Sequence, residues 1–140
     1  MNLVFGFDFG TKYIGVAIGQ MLSKTARPLT TIVRKNKQHD WQQISKLIQT
    51  WQPSALVVGK PLILEGQQQE LTELATKFAR QLQGRFNLPV YEEDERLTSR
   101  EAQAIIRNMN LKGEKKLLGD KLAAQVILQS WINNNPELGS

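Results

Sequence analysis

The stretch Leu3-Val4-Phe5-Gly6-Phe7-Asp8-Phe9-Gly10-Thr11-Lys12-Tyr13-Ile14-Gly15-Val16-Ala17-Ile18-Gly19 decides the architecture of this chain. Leu3 to Phe9 is apolar on both faces apart from Asp8, the pattern of a strand covered on two sides. Gly10-Thr11-Lys12 makes a tight turn, and Tyr13 to Gly19 alternates Ile14, Val16 and Ile18 with Gly15, Ala17 and Gly19, so a hairpin is expected. A third strand is expected over Leu29 to Arg34, after a break at Pro28.

Beyond Asp40 the period changes. Asp40 reads as an N-cap, with Trp41, Ile44, Leu47, Ile48 and Trp51 on one helical face and Pro53 as the stop. Ala55-Leu56-Val57-Val58-Gly59 is a continuous apolar run suited to a central parallel strand. A helix carrying Leu71, Leu74, Ala75, Phe78, Ala79 and Leu82 ends near Gly84, and a short strand Leu88-Pro89-Val90-Tyr91 runs into Glu92-Glu93-Asp94-Glu95. Two helices close the chain, one on Ala102, Ile105, Ile106 and Met109, the other on Ala123, Ala124, Ile127, Leu128 and Trp131. The order β-β-β-α-β-α-β-α-α gives an α/β class with a mixed five-stranded sheet flanked by helices, one domain over residues 1–140. Ligand sites in such sheets gather at the carboxyl ends of the parallel strands.

The composition narrows the chemistry. The chain has 140 residues, no Cys and one His, which excludes disulfides, thiolate zinc sites, cysteine nucleophiles and multi-His metal sites. No apolar run approaches the ~20 residues of a membrane span, and the start lacks a basic n-region, so a cytoplasmic protein is expected. The formal charge of +5 is carried by residues 22–46, where Lys24, Arg27, Arg34, Lys35, Lys37 and Lys46 face Asp40 alone. A basic excess confined to one stretch suits a phosphate-backbone contact surface, and equally a solvated face.

Three carboxylates stand out. Asp8 lies inside an apolar strand, where a charge needs a partner or a cation. Asp120 precedes Ala123, Ala124, Ile127, Leu128 and Trp131 by 3, 4, 7, 8 and 11 positions, at the head of the face that packs inward. An N-cap role after Gly119 accounts for the residue type but not for that face. The third acid belongs to the run at the end of the last strand, of which Glu92 and Glu93 are readily taken as solvated. Three converging carboxylates without His or Cys favour Mg²⁺ or Mn²⁺, and two such ions can promote phosphodiester hydrolysis. Nearby, Lys12 in the turn after Asp8 could meet a phosphate, Arg27 and Lys60 are further candidates for strand contact, and Arg96 could clamp a phosphate or pair with Asp94. His39 is expected to be exposed.

At these residues the chain resembles the YqgF family, also called RuvX. The resemblance rests on Phe7-Asp8-Phe9-Gly10-Thr11-Lys12-Tyr13-Ile14-Gly15-Val16-Ala17, on Thr25-Ala26-Arg27-Pro28-Leu29 and on Val58-Gly59-Lys60-Pro61-Leu62. It continues through Asp94-Glu95-Arg96-Leu97-Thr98 and Asp120-Lys121-Leu122-Ala123-Ala124, in the same order over nearly the whole chain. The resemblance implies a ribonuclease H-like fold related to Holliday junction resolvases. It also implies a cytoplasmic metal-dependent nuclease that matures the 5′ end of pre-16S rRNA in ribosome biogenesis. Asp8, Glu95 and Asp120 match the family's acidic positions, as catalytic residues and as ligands of Mg²⁺ or Mn²⁺. Two alternatives stay open: a resolvase acting on branched DNA, for which a homodimer is plausible, and a nucleic-acid-binding assembly or transcription factor without turnover.

Overall fold

A computed structural model describes residues 2–60, 69–94 and 114–136. The hairpin is present as β1 (Leu3–Phe9) and β2 (Tyr13–Gln20), paired antiparallel so that Asp8 faces Gly15. β3 (Thr25–Val33) lies outside β2, while β4 (Ala55–Lys60) and β5 (Val90–Asp94) add parallel to the other edge of β1. The sheet order is β3-β2-β1-β4-β5, mixed as expected.

Alternation along β1 sends side chains to two cores. Phe5, Phe7 and Phe9 meet the side packed by α1 (Lys37–Trp51) and α2 (Gln69–Phe86), with Ile44, Ala75, Phe78 and Leu82. Val4 faces the other side with Ala17, Ala55 and Val57, under α3 (Glu114–Asn134), which contributes Ala124, Ile127, Leu128, Trp131 and Ile132. Four glycines make this second face smooth. A Cβ at Gly6 would meet Leu128 Cβ at 2.7 Å and one at Gly19 would meet Ile132 Cδ1 at 2.8 Å, while at Gly59 and Gly15 it would strike Ile127 and the Asp120 carbonyl. The helix therefore rests nearly on the sheet backbone.

Several boundaries differ from the expectation. β3 begins at Thr25 and runs through Pro28, because it is an edge strand and a bulge between Val16 and Ala17 skips Leu29, so a residue without an N–H costs no ladder bond there. The N-cap of α1 is Asn36, whose side chain accepts from the His39 N–H at 2.8 Å; Asp40 sits one turn inside and is buried. α2 passes Gly84 and ends at Phe86. β5 starts at Val90, with the Pro89 carbonyl accepting from Leu56 N at 2.9 Å. α3 begins at Glu114, so Asp120 lies in its second turn and is no N-cap. The helix expected around Ala102 to Met109 falls outside the described residues.

Two glutamines of α3 secure the start of the β3 edge. Gln129 Oε1 accepts from Ala26 N at 2.9 Å, Gln125 Nε2 donates to Ala26 O at 3.0 Å, and Gln129 Nε2 donates to Lys24 O at 3.0 Å.

Candidate functional site

Strand alternation places Asp8 on the α3 side of β1, two residues beyond Gly6 and next to the strand's carboxyl end. It is half-buried. Asp120 reaches the same place from the helix: it is 8% exposed, and its backbone carbonyl lies against Gly15, the residue directly opposite Asp8 in the hairpin ladder. The inward face inferred from the apolar spacing is the face Asp120 occupies. A side chain at position 15 would separate them.

The end of β5 adds a third acid to this face. Register carries Glu93 to Gly59, and Glu93 shares the α3 side with Tyr91, whose ring lies 5.1 Å from that of Trp131. Glu93 is 5% exposed and accepts from Asn134 Nδ2 at 3.2 Å, so it is not the solvated strand-end residue expected. Glu92 is exposed as expected and lies 4.0 Å from the Lys60 ammonium, a weak pair with both side chains about two-fifths exposed. Glu95 and Arg96 lie outside the described residues. Among the described residues no three His, Cys, Asp or Glu side chains form a group able to hold a metal ion. Two carboxylates, Asp8 and Asp120, are brought together from distant parts of the chain.

The candidate cations divide by location. Lys12 is exposed in the turn after Asp8, at the acidic end of the sheet. Lys60 ends β4. Arg27 is not brought to the acids: it pairs with Ile18, well down the hairpin, and its guanidinium lies 6.0 Å from the Trp51 ring on the α1 side.

Arg34, expected only as one of the charges of the basic stretch, supports the turn. Arg34 donates from Nη1 to the Gly10 carbonyl at 3.0 Å and from Nε to Asp40 Oδ2 at 3.2 Å, with its guanidinium 4.9 Å from the Phe9 ring. Its backbone N–H donates to Lys12 O at 2.9 Å. Asp40 Oδ1 accepts the Lys35 N–H at 3.0 Å and lies 3.0 Å from His39 Nδ1. Burial works to raise the Asp40 carboxyl, but the hydrogen bonds from His39, Lys35 and Arg34, with the Arg34 charge, outweigh it and hold the group below its ordinary value. His39 is accordingly half-buried beside Asp40 rather than exposed. The one signal for this arrangement was a lone acid in a basic stretch; the contact to Gly10 spans 24 positions and has no local motif.

Comparison with known proteins follows the same lines. A family model described as RuvX, Holliday junction resolvase, matches residues 2–134. A protein of Haemophilus ducreyi named "Putative pre-16S rRNA nuclease" is 48% identical over 134 residues, covering 95% of this chain and 97% of its own. One of the same name from Pseudomonas fluorescens strain Pf0-1 is 44% identical over 140 residues, covering 99% and 97%. Among solved structures, Thermus thermophilus RuvC in complex with a Holliday junction superposes with a TM-score of 0.65 at 12% identity, covering 99% of this chain and 98% of that one. The Fowlpox virus resolvase bound to Holliday junction DNA gives 0.53 at 11% identity, covering 94% and 97%. These likenesses show a ribonuclease H-like fold.

Proposed function

The chain belongs to the RuvX family, and on that footing we propose that it is a cytoplasmic endonuclease that hydrolyses phosphodiester bonds of precursor 16S rRNA at its 5′ end. The observation that carries the reading is the meeting of Asp8 and Asp120 across Gly15, at the carboxyl end of β1. The two acids come from distant parts of the chain to one face of an otherwise apolar sheet, and the relatives' name supplies the substrate. No helix among the described residues is long and apolar enough to cross a membrane.

The donor set fits a hard divalent cation. Asp8 and Asp120 offer carboxylate oxygens, with no Cys in the chain and its single His at position 39, on α1. We assign Glu95 as the third carboxylate, since it lies in the family-like Asp94-Glu95-Arg96 motif and has the sequence parity of Glu93. Bound Mg²⁺ or Mn²⁺ supplies activation of a water and neutralisation of charge at the scissile phosphate. The chain's own part is to orient the carboxylates: α3 holds Asp120 against Gly15, and the ladder holds Asp8 opposite it. Lys12, exposed in the next turn, meets the phosphate flanking the scissile bond, with Lys60 and Arg96 as further contacts to the strand.

The test is cleavage of a pre-16S rRNA fragment with Mg²⁺ or Mn²⁺. Wild type should release the 5′ precursor segment and Asp8→Asn should lose at least 100-fold in rate, about 2.7 kcal/mol or more of transition-state stabilisation; full activity in the variant would remove Asp8 from the site. A second reading, hydrolysis of branched DNA, is favoured by the family description; a homodimer would suit such a substrate. A four-way DNA junction assayed in parallel separates the two. RNA binding without metal-dependent cleavage would leave an assembly factor as the function.

A further inference from the structure

β3 ends the sheet, so one side of its backbone is outside the ladder. Gln125 and Gln129 cover the beginning of that edge at Lys24 and Ala26, but from Thr30 to Val33 it borders a groove of roughly 300 Å³ whose other wall is α1. His39, Gln43, Lys46, Leu47 and Thr50 supply that wall at intervals of four, seven, eight and eleven positions, one stripe of the helix and about 16 Å long. Lys35 closes the upper end.

The chemistry of the lining is one-sided. Its ten residues include two lysines, three threonines, a glutamine and a histidine and not one acid; Thr50 Oγ1 donates to Lys46 O at 2.8 Å and the His39 ring lies 3.0 Å from Asp40 Oδ1, so the two ammonium groups carry the charge of the lining. Asp40, the sole acid of the basic stretch, is not among the lining residues; its carboxylate is bonded to Arg34, to the Lys35 N–H and to the ring of His39. Beyond Thr50 the positive line continues, because exposed Arg27 lies over the ring of Trp51. At the other end it reaches the turn after Asp8, where Arg34 N bonds Lys12 O. An extended, positively charged channel lined by no carboxylate among the described residues matches a polyanionic chain. Among the described residues no aromatic ring lines it, which suits contacts to phosphate and sugar rather than to stacked bases.

We propose that the groove between the free edge of β3 and α1 holds the phosphate backbone of a single-stranded RNA segment leading from the acidic site, using Lys35, Lys46 and Arg27. The proposal rests on the nuclease reading for its ligand class. It gives the local charge of residues 22–46 a definite surface, on the α1 side of the sheet rather than over the acids.

The experiment is fluorescence anisotropy of a labelled single-stranded oligoribonucleotide, titrated across a salt series with the Asp8→Asn protein so that no cleavage intervenes. Each of Lys35→Gln, Lys46→Gln and Arg27→Gln should lower the magnitude of the slope of log K against log salt by about 0.7. The pair Lys77→Gln and Arg80→Gln on α2 removes the same charge elsewhere and should leave the slope as it was. Circular dichroism melts establish that each variant folds. Equal slopes in the groove variants and the parent, or an equal loss in the α2 variants, would overturn the proposal, including the case where the free edge takes a peptide strand. Cleavage by the Asp8-containing protein is scored separately: cleavage with unchanged slopes sinks the groove alone, and lowered slopes without cleavage sink the nuclease reading alone.

Discussion

Arg34 holds the carbonyl of Gly10 at 3.0 Å, and so joins the first residue of α1's approach to the turn that follows Asp8. The guanidinium is in turn held by buried Asp40, so the Arg34 side chain links α1 to the acidic end of the sheet. Arg34→Ala should cost about 2 kcal/mol, because it leaves the Asp40 carboxylate short of a charged donor and the Gly10 carbonyl short of its partner. Urea unfolding measures this; a loss below half a kcal/mol would mean that water replaces the guanidinium without penalty.

Asp40 gives the molecule a definite acid sensitivity. Its carboxyl is held below its ordinary value in the folded state, so the stability it confers is present above the unfolded value, about 3.9, and is lost as pH falls through and below it. The difference in unfolding midpoint between wild type and Asp40→Asn should therefore be largest near neutrality and shrink below about pH 4. A difference that is flat across that window would disconnect the carboxylate from the acid response.

Two glycines should respond oppositely to alanine. At Gly15 the new methyl meets the Asp120 carbonyl, so α3 must lift; about 1–3 kcal/mol of stability should go, and cleavage with it. At Gly84, on α2, nothing lies within 4 Å and alanine should add up to about 1 kcal/mol. Thermal melts of the two proteins decide both signs.

Divalent cations should stabilise the folded chain if the acids bind them. At a metal concentration 100 times the dissociation constant the gain is about 2.7 kcal/mol. Mg²⁺ or Mn²⁺ should raise the melting temperature of wild type and leave that of Asp8→Asn and Asp120→Asn nearly unchanged. Equal shifts in all three would place the cation elsewhere.

The sequence carried the sheet well because its signals are local. Two-sided apolarity in β1, the alternation of β2, the continuous run of β4, and the helical spacing behind Asp120 are each set by burial on a known number of faces. It misled where two local rules competed. Pro28 reads as a break, yet an edge strand with a bulge tolerates it, and Asp40 reads as a cap, yet Asn36 takes that role and leaves Asp40 to the core. Of the site, Asp8 and the inward face of Asp120 were legible, since an acid in an apolar pattern is conspicuous. Arg34 was not, because its worth lies in a carbonyl 24 positions away, and neither was Glu93, which is buried with its carboxylate bonded by Asn134 at the far end of α3.

The glycines under α3 have a consequence for how this protein can change over generations. Gly6, Gly15, Gly19 and Gly59 have no functional group, yet the seating of the helix, and with it the separation of two carboxylates, depends on atoms those positions lack. Drift at such sites cannot be repaired by substituting one acid for another. The tolerance of the proposed site to mutation is thus governed as much by its silent floor as by the carboxylates above it.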